Sequence, residues 1–134
     1  MAIYGNTEQF YACARQLFAR IEQDDPTAAA ALLNSRLIIR LQMSNPAGEI
    51  LISGREQTAV VHFGRNSLKP DLEIGLSGDT LHTILLGQLS LTKALGSGRL
   101  TVKGPIWKAT ILADLFRQSQ TIYPQILREQ GIGL

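Results

Sequence analysis

The side chains that could do chemistry are few in this chain of 134 residues, and their spacing gives them little to do together. The two histidines, His62 and His82, have no histidine partner at helical spacing, and no zinc-ligand pattern surrounds them. His62 falls on the polar side of a short alternating run, beside Thr58 and Val60, so a surface or structural role is the plain reading for each histidine. Cys13 is the single cysteine, which excludes an internal disulfide and cannot anchor zinc alone. It lies among apolar residues, where a buried, inert thiol is the ordinary outcome. No G-x-S-x-G elbow offers a serine nucleophile. Asp24 and Asp25 read as helix caps. Asp71 and Glu73 share one strand face, with Arg36, Arg40, Arg99 and Lys103 on outward faces, so cross-strand ion pairs are the expected use of those carboxylates. Gly96-x-Gly98 follows a helical stretch and precedes a strand, the reverse of a dinucleotide-binding turn. The residues therefore point to no acid–base pair, no metal site and no cofactor.

Composition narrows the classes further. Hydrophobic residues make up 45% of the chain and charged ones only 18%, which suits a globular domain with a well-filled interior. The net charge of +2 comes from lysines and arginines spread along the chain, and no basic patch with interleaved aromatics exists for nucleic acid. The opening MAIYGNTEQF lacks a basic region followed by an apolar one, so no signal peptide is expected. No apolar run approaches ~18 residues, so no transmembrane helix is expected either. The expectation is one cytoplasmic domain over residues 1–134.

The elements follow from periodicity. Residues 6–23 are amphipathic, with Phe10, Ala14, Leu17, Phe18 and Ile21 on one stripe, and Asn6 with Gln9 forms a capping-box pair at the start. Asp25-Pro26 opens a second short helix. Residues 36–44 alternate, with Leu37, Ile39, Leu41 and Met43 on one face, and mark a first strand. A turn at Asn45-Pro46-Ala47-Gly48 leads to strands in 49–54 and 58–63, an antiparallel meander. Residues 71–77 form a fourth strand. Residues 78–95 are helical with a break near Gly87, and 99–103 form a fifth strand. Gly104-Pro105 then starts a strongly apolar helix, and a last helix is expected from about Tyr123-Pro124. The order predicts an α+β fold: a five-stranded, largely antiparallel sheet with helices on one face.

From Asp71 onward the pattern resembles the sterol carrier protein type 2 family. The likeness is carried by the acidic alternating strand Asp71 to Leu76, the step at Gly87-Gln88, the strand Gly98-Arg99-Leu100-Thr101-Val102-Lys103-Gly104 and the pair Leu115-Phe116. Pro105 stands where that family often has aspartate. The resemblance implies a hydrophobic tunnel between sheet and helices that holds a fatty acid, fatty acyl-CoA, sterol or isoprenoid lipid. It implies binding and transfer, not catalysis. Transient membrane contact and a homodimer stay open.

The two apolar stretches around residues 84–89 and 111–116 offer more greasy surface than one sheet face requires. With the resemblance, that surplus makes Ile84, Leu85, Leu89, Leu100, Val102, Trp107, Ile111, Leu112, Leu115 and Phe116 the candidate lining residues. Lys108 is a candidate for meeting a carboxylate head at the mouth. The competing reading is an accessory interaction subunit of lipid or quinone metabolism whose pocket has collapsed. A small enzyme with an enclosed apolar site is disfavoured by the lack of a nucleophile or an acid–base pair.

Overall fold

The alternation in residues 37–43 fixes the centre of the molecule. In the computed structural model, which describes residues 4–24, 26–55, 57–105 and 110–131, with the side chains of 24, 26–29, 110–112, 114 and 115 excepted, that stretch is the middle strand of a five-stranded sheet. The elements run α1 (Thr7–Asp24), α2 (Pro26–Ser35), β1 (Ile38–Ser44), β2 (Gly48–Ser53), β3 (Val60–Phe63), β4 (Leu72–Ser77), α3 (Gly78–Leu85), α4 (Leu91–Gly96), β5 (Leu100–Lys103) and α5 (Thr110–Glu129). The strand order is β3-β2-β1-β4-β5. The β1–β4 pair is parallel and the other three are antiparallel. The sheet is therefore mixed but mostly antiparallel, and the fold is α+β with an open sheet.

Register puts the apolar residues of every strand on one face. Ile39 and Leu41 stand opposite Ile52 and Ile50 on β2 and opposite Leu72 and Ile74 on β4; Leu76 and Ile74 then meet Leu100 and Val102 on β5. Ile39, Leu72 and Ile74 are fully buried beneath the helices. The α1, α2 and α3 helices all pack against α5 above that face. The reverse face is partly covered as well. Arg40 donates through one guanidinium nitrogen to the carbonyls of Asn66 at 2.9 Å and Leu68 at 2.7 Å, holding the β3–β4 loop down, and its register neighbour Leu51 is buried. Among the described residues Arg40 thus serves loop carbonyls, not a carboxylate. The ion pair near this region joins Arg55 to both oxygens of Asp71 at 2.8 Å, while Asp71 also accepts the Ile38 backbone N–H at 2.9 Å.

Local chemistry sets the element ends. Asn6 caps α1, its side-chain oxygen accepting the Gln9 N–H at 2.8 Å. Gln9 reaches back to the N–H of Gly5, one residue before the usual capping-box partner. Ser77 and Ser90 cap α3 and α4 in the same way, and Gly87, with φ of 77°, supplies the turn between them. Gly104 has φ of 116°, and a Cβ there would sit 2.4 Å from the Asp71 carbonyl oxygen, so only glycine fits where β5 ends. One expectation is corrected: no separate helix starts at Tyr123-Pro124. The α5 helix runs through Pro124. Proline forfeits one hydrogen bond to the preceding turn, but Tyr123, Ile126 and Leu127 on either side are completely buried and hold the helix against the core.

Candidate ligand cavity

The stripe that α1 turns inward is Phe10, Cys13, Ala14, Leu17 and Ile21, spaced by three and four residues. These side chains do not close onto the sheet. Between them lies a cavity of about 100 Å³. Its floor is Leu41 of β1, Ile50 and Ile52 of β2, and Val61 of β3, with Ala59 just before that strand. Leu81 and Leu85 of α3 and Phe116, Ser119 and Tyr123 of α5 complete the wall, with Leu32 of α2 and Tyr4 ahead of α1. A single water needs only about 10–15 Å³ measured in this way, so the space would hold several. The lining is apolar apart from a few hydroxyls, one thiol and Glu22, and apolar space of this kind accepts apolar guests.

The two ends differ. Phe18, Glu22, Ala59 and Val61 retain exposure, so the cavity meets solvent where the last turns of α1 pass the β3 edge. Phe63 guards that edge on the outside, packed edge-on to Tyr11 and Phe18, with the Arg15 guanidinium 4.7 Å above its ring. The opposite end lies under the β1–β2 turn. There the Thr7 hydroxyl bonds to the Ala47 carbonyl and Tyr4 lies against Gly78, where a Cβ would approach the ring to 3.1 Å. From Phe10 to Ile21 the α1 axis rises about 16 Å, which sets the span between the ends.

The buried end carries the polar groups. The Tyr4 and Tyr123 hydroxyls share a hydrogen bond, and Tyr123 also bonds to Nδ1 of His82 at 2.6 Å. Tyr4 is stacked edge-on against Phe10, with ring centroids 5.2 Å apart. Burial pushes both phenols well above the usual tyrosine range; in Tyr123 the neighbouring Tyr4 adds to it. Burial lowers the His82 imidazole, and the nearby Asp79 carboxylate opposes this in part. The Cys13 thiol is pushed up to about 11, again by burial. All four groups are consequently uncharged near neutral pH. Among the described residues that line the cavity there is no lysine, arginine or histidine. No group of three or more metal-ligating side chains occurs among the described residues, and no helix there is long and apolar enough to cross a membrane.

Of the ten residues singled out from sequence, Leu85 and Phe116 border the cavity. Ile84 and Leu100 are buried in the core away from it, and Leu89 and Val102 are partly buried against that core. Trp107, with Lys108, lies outside the described residues. Ile111, Leu112 and Leu115 belong to α5, and their side chains lie outside the description. Sequence reasoning placed the lining in the second half of the chain and passed over the α1 stripe, which it recorded only as helix core. It also passed over Tyr4, which precedes the helix and belongs to no periodic pattern.

The fold is shared with proteins of known structure. The model of the SCP-2 sterol transfer family matches residues 16–117. The solution structure of the sterol carrier protein domain 2 of Helicoverpa armigera superposes with a TM-score of 0.65 at 22% identity, over 84% of this chain and 89% of that one. Sterol carrier protein 2 from Yarrowia lipolytica, in its apo form, gives 0.62 at 17% identity, over 83% and 89%. Palmitated SCP2L2 from Aedes aegypti gives 0.57 at 18% identity, over 78% and 90%. No curated protein matches the chain. With an open mixed sheet, covering helices and the family model spanning most of its length, the chain belongs to the SCP-2 sterol transfer family.

Proposed function

We propose that this chain is a non-catalytic carrier, a single lipid-binding domain that takes an apolar molecule into the cavity beneath α1 and passes it on. The observation that carries the reading is the unfilled apolar space of about 100 Å³ between α1, α5 and the sheet. The palmitated relative supports it, since a protein of the same fold was solved with that lipid. The chemistry present supports a carrier over an enzyme. Cys13, the one thiol on the wall, is held in its protonated form and has no hydrogen-bonded base among the described residues.

Magnitudes are compatible with reversible carriage. Burying one methylene is worth about 0.8 kcal/mol, so a sixteen-carbon chain would gain on the order of 12 kcal/mol gross once the cavity of about 100 Å³ had widened to take all of it. Association and ordering cost roughly 4–15 kcal/mol. The balance permits micromolar binding that tolerates several ligands, because little in the lining fixes a particular shape. A fatty acid, acyl-CoA, sterol or isoprenoid body all belong to this class, and the protein would work in the cytoplasm.

The test is native mass spectrometry of the purified protein, followed by solvent extraction and titration with the neutral fluorophore N-phenyl-1-naphthylamine. Bound apolar mass, or saturable fluorophore binding reversed by dodecane, is the expected result. A protein free of adducts that also fails to bind the fluorophore would overturn the carrier reading and favour a pure interaction subunit.

A further inference from the structure

The polar groups at the buried end are arranged in a line, and counting their valences shows where the line ends. A phenol has one donor and two acceptor sites; a neutral imidazole has one of each. With the proton on Nε2 of His82, Tyr123 donates to Nδ1 and Tyr4 donates to Tyr123, leaving the Tyr4 oxygen with free acceptor sites. With the proton on Nδ1, the imidazole donates to Tyr123 and Tyr123 donates to Tyr4, leaving the Tyr4 O–H with nothing to donate to. In both arrangements Tyr4 keeps the larger unused valence, two acceptor sites in the first and a donor with one acceptor in the second, while Tyr123 keeps a single acceptor site. Its side chain borders the cavity, is only 2% exposed and has no hydrogen-bond partner besides Tyr123 among the described residues.

We infer that the buried end of the cavity recognises a neutral oxygen head group, an alcohol or a carbonyl, through the free valence of the Tyr4 hydroxyl, with Tyr123 and His82 as positioning residues behind it. This rests on the carrier reading above and adds to it a direction of entry and a selectivity. The ligand enters oxygen first from the mouth, so that its apolar body lies along Leu17, Ile21 and the strand floor. An alcohol donates to Tyr4 when the line runs toward His82. A carbonyl accepts from Tyr4 when the line reverses, a change that needs only the other histidine tautomer.

The same end is poorly suited to an anion. Its phenols, thiol and imidazole are neutral, no cation is present among the described lining residues, and Asp79 lies close enough to oppose ionisation of Tyr4. A carboxylate taken there would be desolvated without a counter-charge, the most expensive way to bury a polar group. A neutral oxygen loses its water and finds a partner already in place.

The experiment uses the whole chain loaded with N-phenyl-1-naphthylamine and measures displacement at neutral pH by 1-dodecanol, 2-dodecanone, dodecanoate and dodecane. The wild-type protein should release the fluorophore to the alcohol and the ketone at lower concentrations than to dodecane or dodecanoate. Tyr4→Phe should raise the concentrations needed of the alcohol and ketone by about 3- to 10-fold, the worth of one hydrogen bond, and leave dodecane unchanged. His82→Phe should act in the same sense but less, because it removes only the far end of the line. A merely structural role would shift all four displacers together. If Tyr4→Phe fails to fold, His82→Phe carries the same comparison. Preference for dodecanoate, no preference for oxygen, or equal shifts for every displacer would overturn the inference and leave the carrier standing. Absence of fluorophore binding would overturn the carrier reading and this inference with it.

Discussion

The two ends of the cavity share one helix and one sheet, yet they are built on opposite terms. The end beneath the β1–β2 turn is dry, aromatic and hydrogen-bonded: Tyr4 and Tyr123 are at most 2% exposed and are bonded to each other. The mouth is open, flanked by Phe18, Ala59 and Val61, and the one charged side chain among the described lining residues is the exposed carboxylate of Glu22. Burial explains the difference. A polar group at the inner end must be satisfied by protein, so it comes as a connected set. A charge at the mouth stays in water and needs no partner. The inner end can therefore discriminate between ligands by whether their polar atoms are matched, while the mouth can only bias approach through a screened field.

The largest expected effect lies just inside the dry end, at Cys13. Thiol alkylation proceeds through the thiolate. With the group pushed up to about 11 from an ordinary 9.0, the thiolate fraction at pH 8 falls about a hundredfold. Iodoacetamide should label Cys13 about a hundred times more slowly than a free cysteine, and more slowly again with dodecane bound. Labelling at the free rate would show that water reaches the inner wall and would erase the contrast between the ends.

Filling the middle of the cavity should separate binding from stability. Ala14 borders the space and is 7% exposed. Ala14→Leu introduces three more carbons where room exists, so the urea midpoint should hold or rise while fluorophore affinity drops about tenfold. A loss of stability together with unchanged affinity would mean the side chain goes elsewhere and the ligand does not occupy this space.

Breaking the polar line at its centre should be felt next. Tyr123→Phe leaves His82 Nδ1 and the Tyr4 hydroxyl without each other's relay. An unmet buried polar group costs about 1–3 kcal/mol, and a loss in that range is expected because the dry end offers no water in its place. Urea unfolding measures it. The same line has a pH signature. His82 sits below its ordinary 6.5 in the folded protein, chiefly from burial, so below pH 6.5 the unfolded chain binds more protons than the folded one. Its contribution is complete above 6.5 and is lost as pH falls toward the folded value. His82→Phe should flatten that part of the stability profile relative to wild type. Identical profiles would show that the imidazole titrates as it would in water.

These contrasts also mark how far the sequence could be read. Strand faces were legible because alternation is a backbone property: Ile39, Leu41 and Met43 must point the same way wherever the strand lies. The α1 stripe and the break at Gly87 were legible for the same reason. The cavity was not, because burial and lining are different facts with the same sequence signal. Ile84 and Leu85 are adjacent, equally apolar and both buried, yet only Leu85 reaches the empty space. Which one does so depends on how α3 packs against α5 above the sheet, and no local pattern encodes it. Tyr4 shows the limit from the other side, since its role arises from Tyr123, 119 positions away. Pro124 shows a local rule overruled, because burial of Tyr123, Ile126 and Leu127 outweighs one missing hydrogen bond.

The smallest effect belongs to the mouth, and its size tests whether the ends work as argued. Glu22 is exposed, so its field passes largely through water and its influence on a nearby carboxylate is weak. Glu22→Lys reverses the local charge and should improve dodecanoate displacement of the fluorophore by about twofold at low salt, with 1-dodecanol unaffected. At 1 M salt the screening length is only about 3 Å, so the gain should vanish. If the gain survived high salt, the substituted lysine would be pairing with the ligand inside the protein, and the dry end could no longer be credited with all of the selectivity. If 1-dodecanol improved equally, the substitution would be widening the entrance instead of changing its charge. A salt-sensitive gain confined to the anion would place recognition of the neutral oxygen at the buried end, because nothing done at the mouth would have moved it.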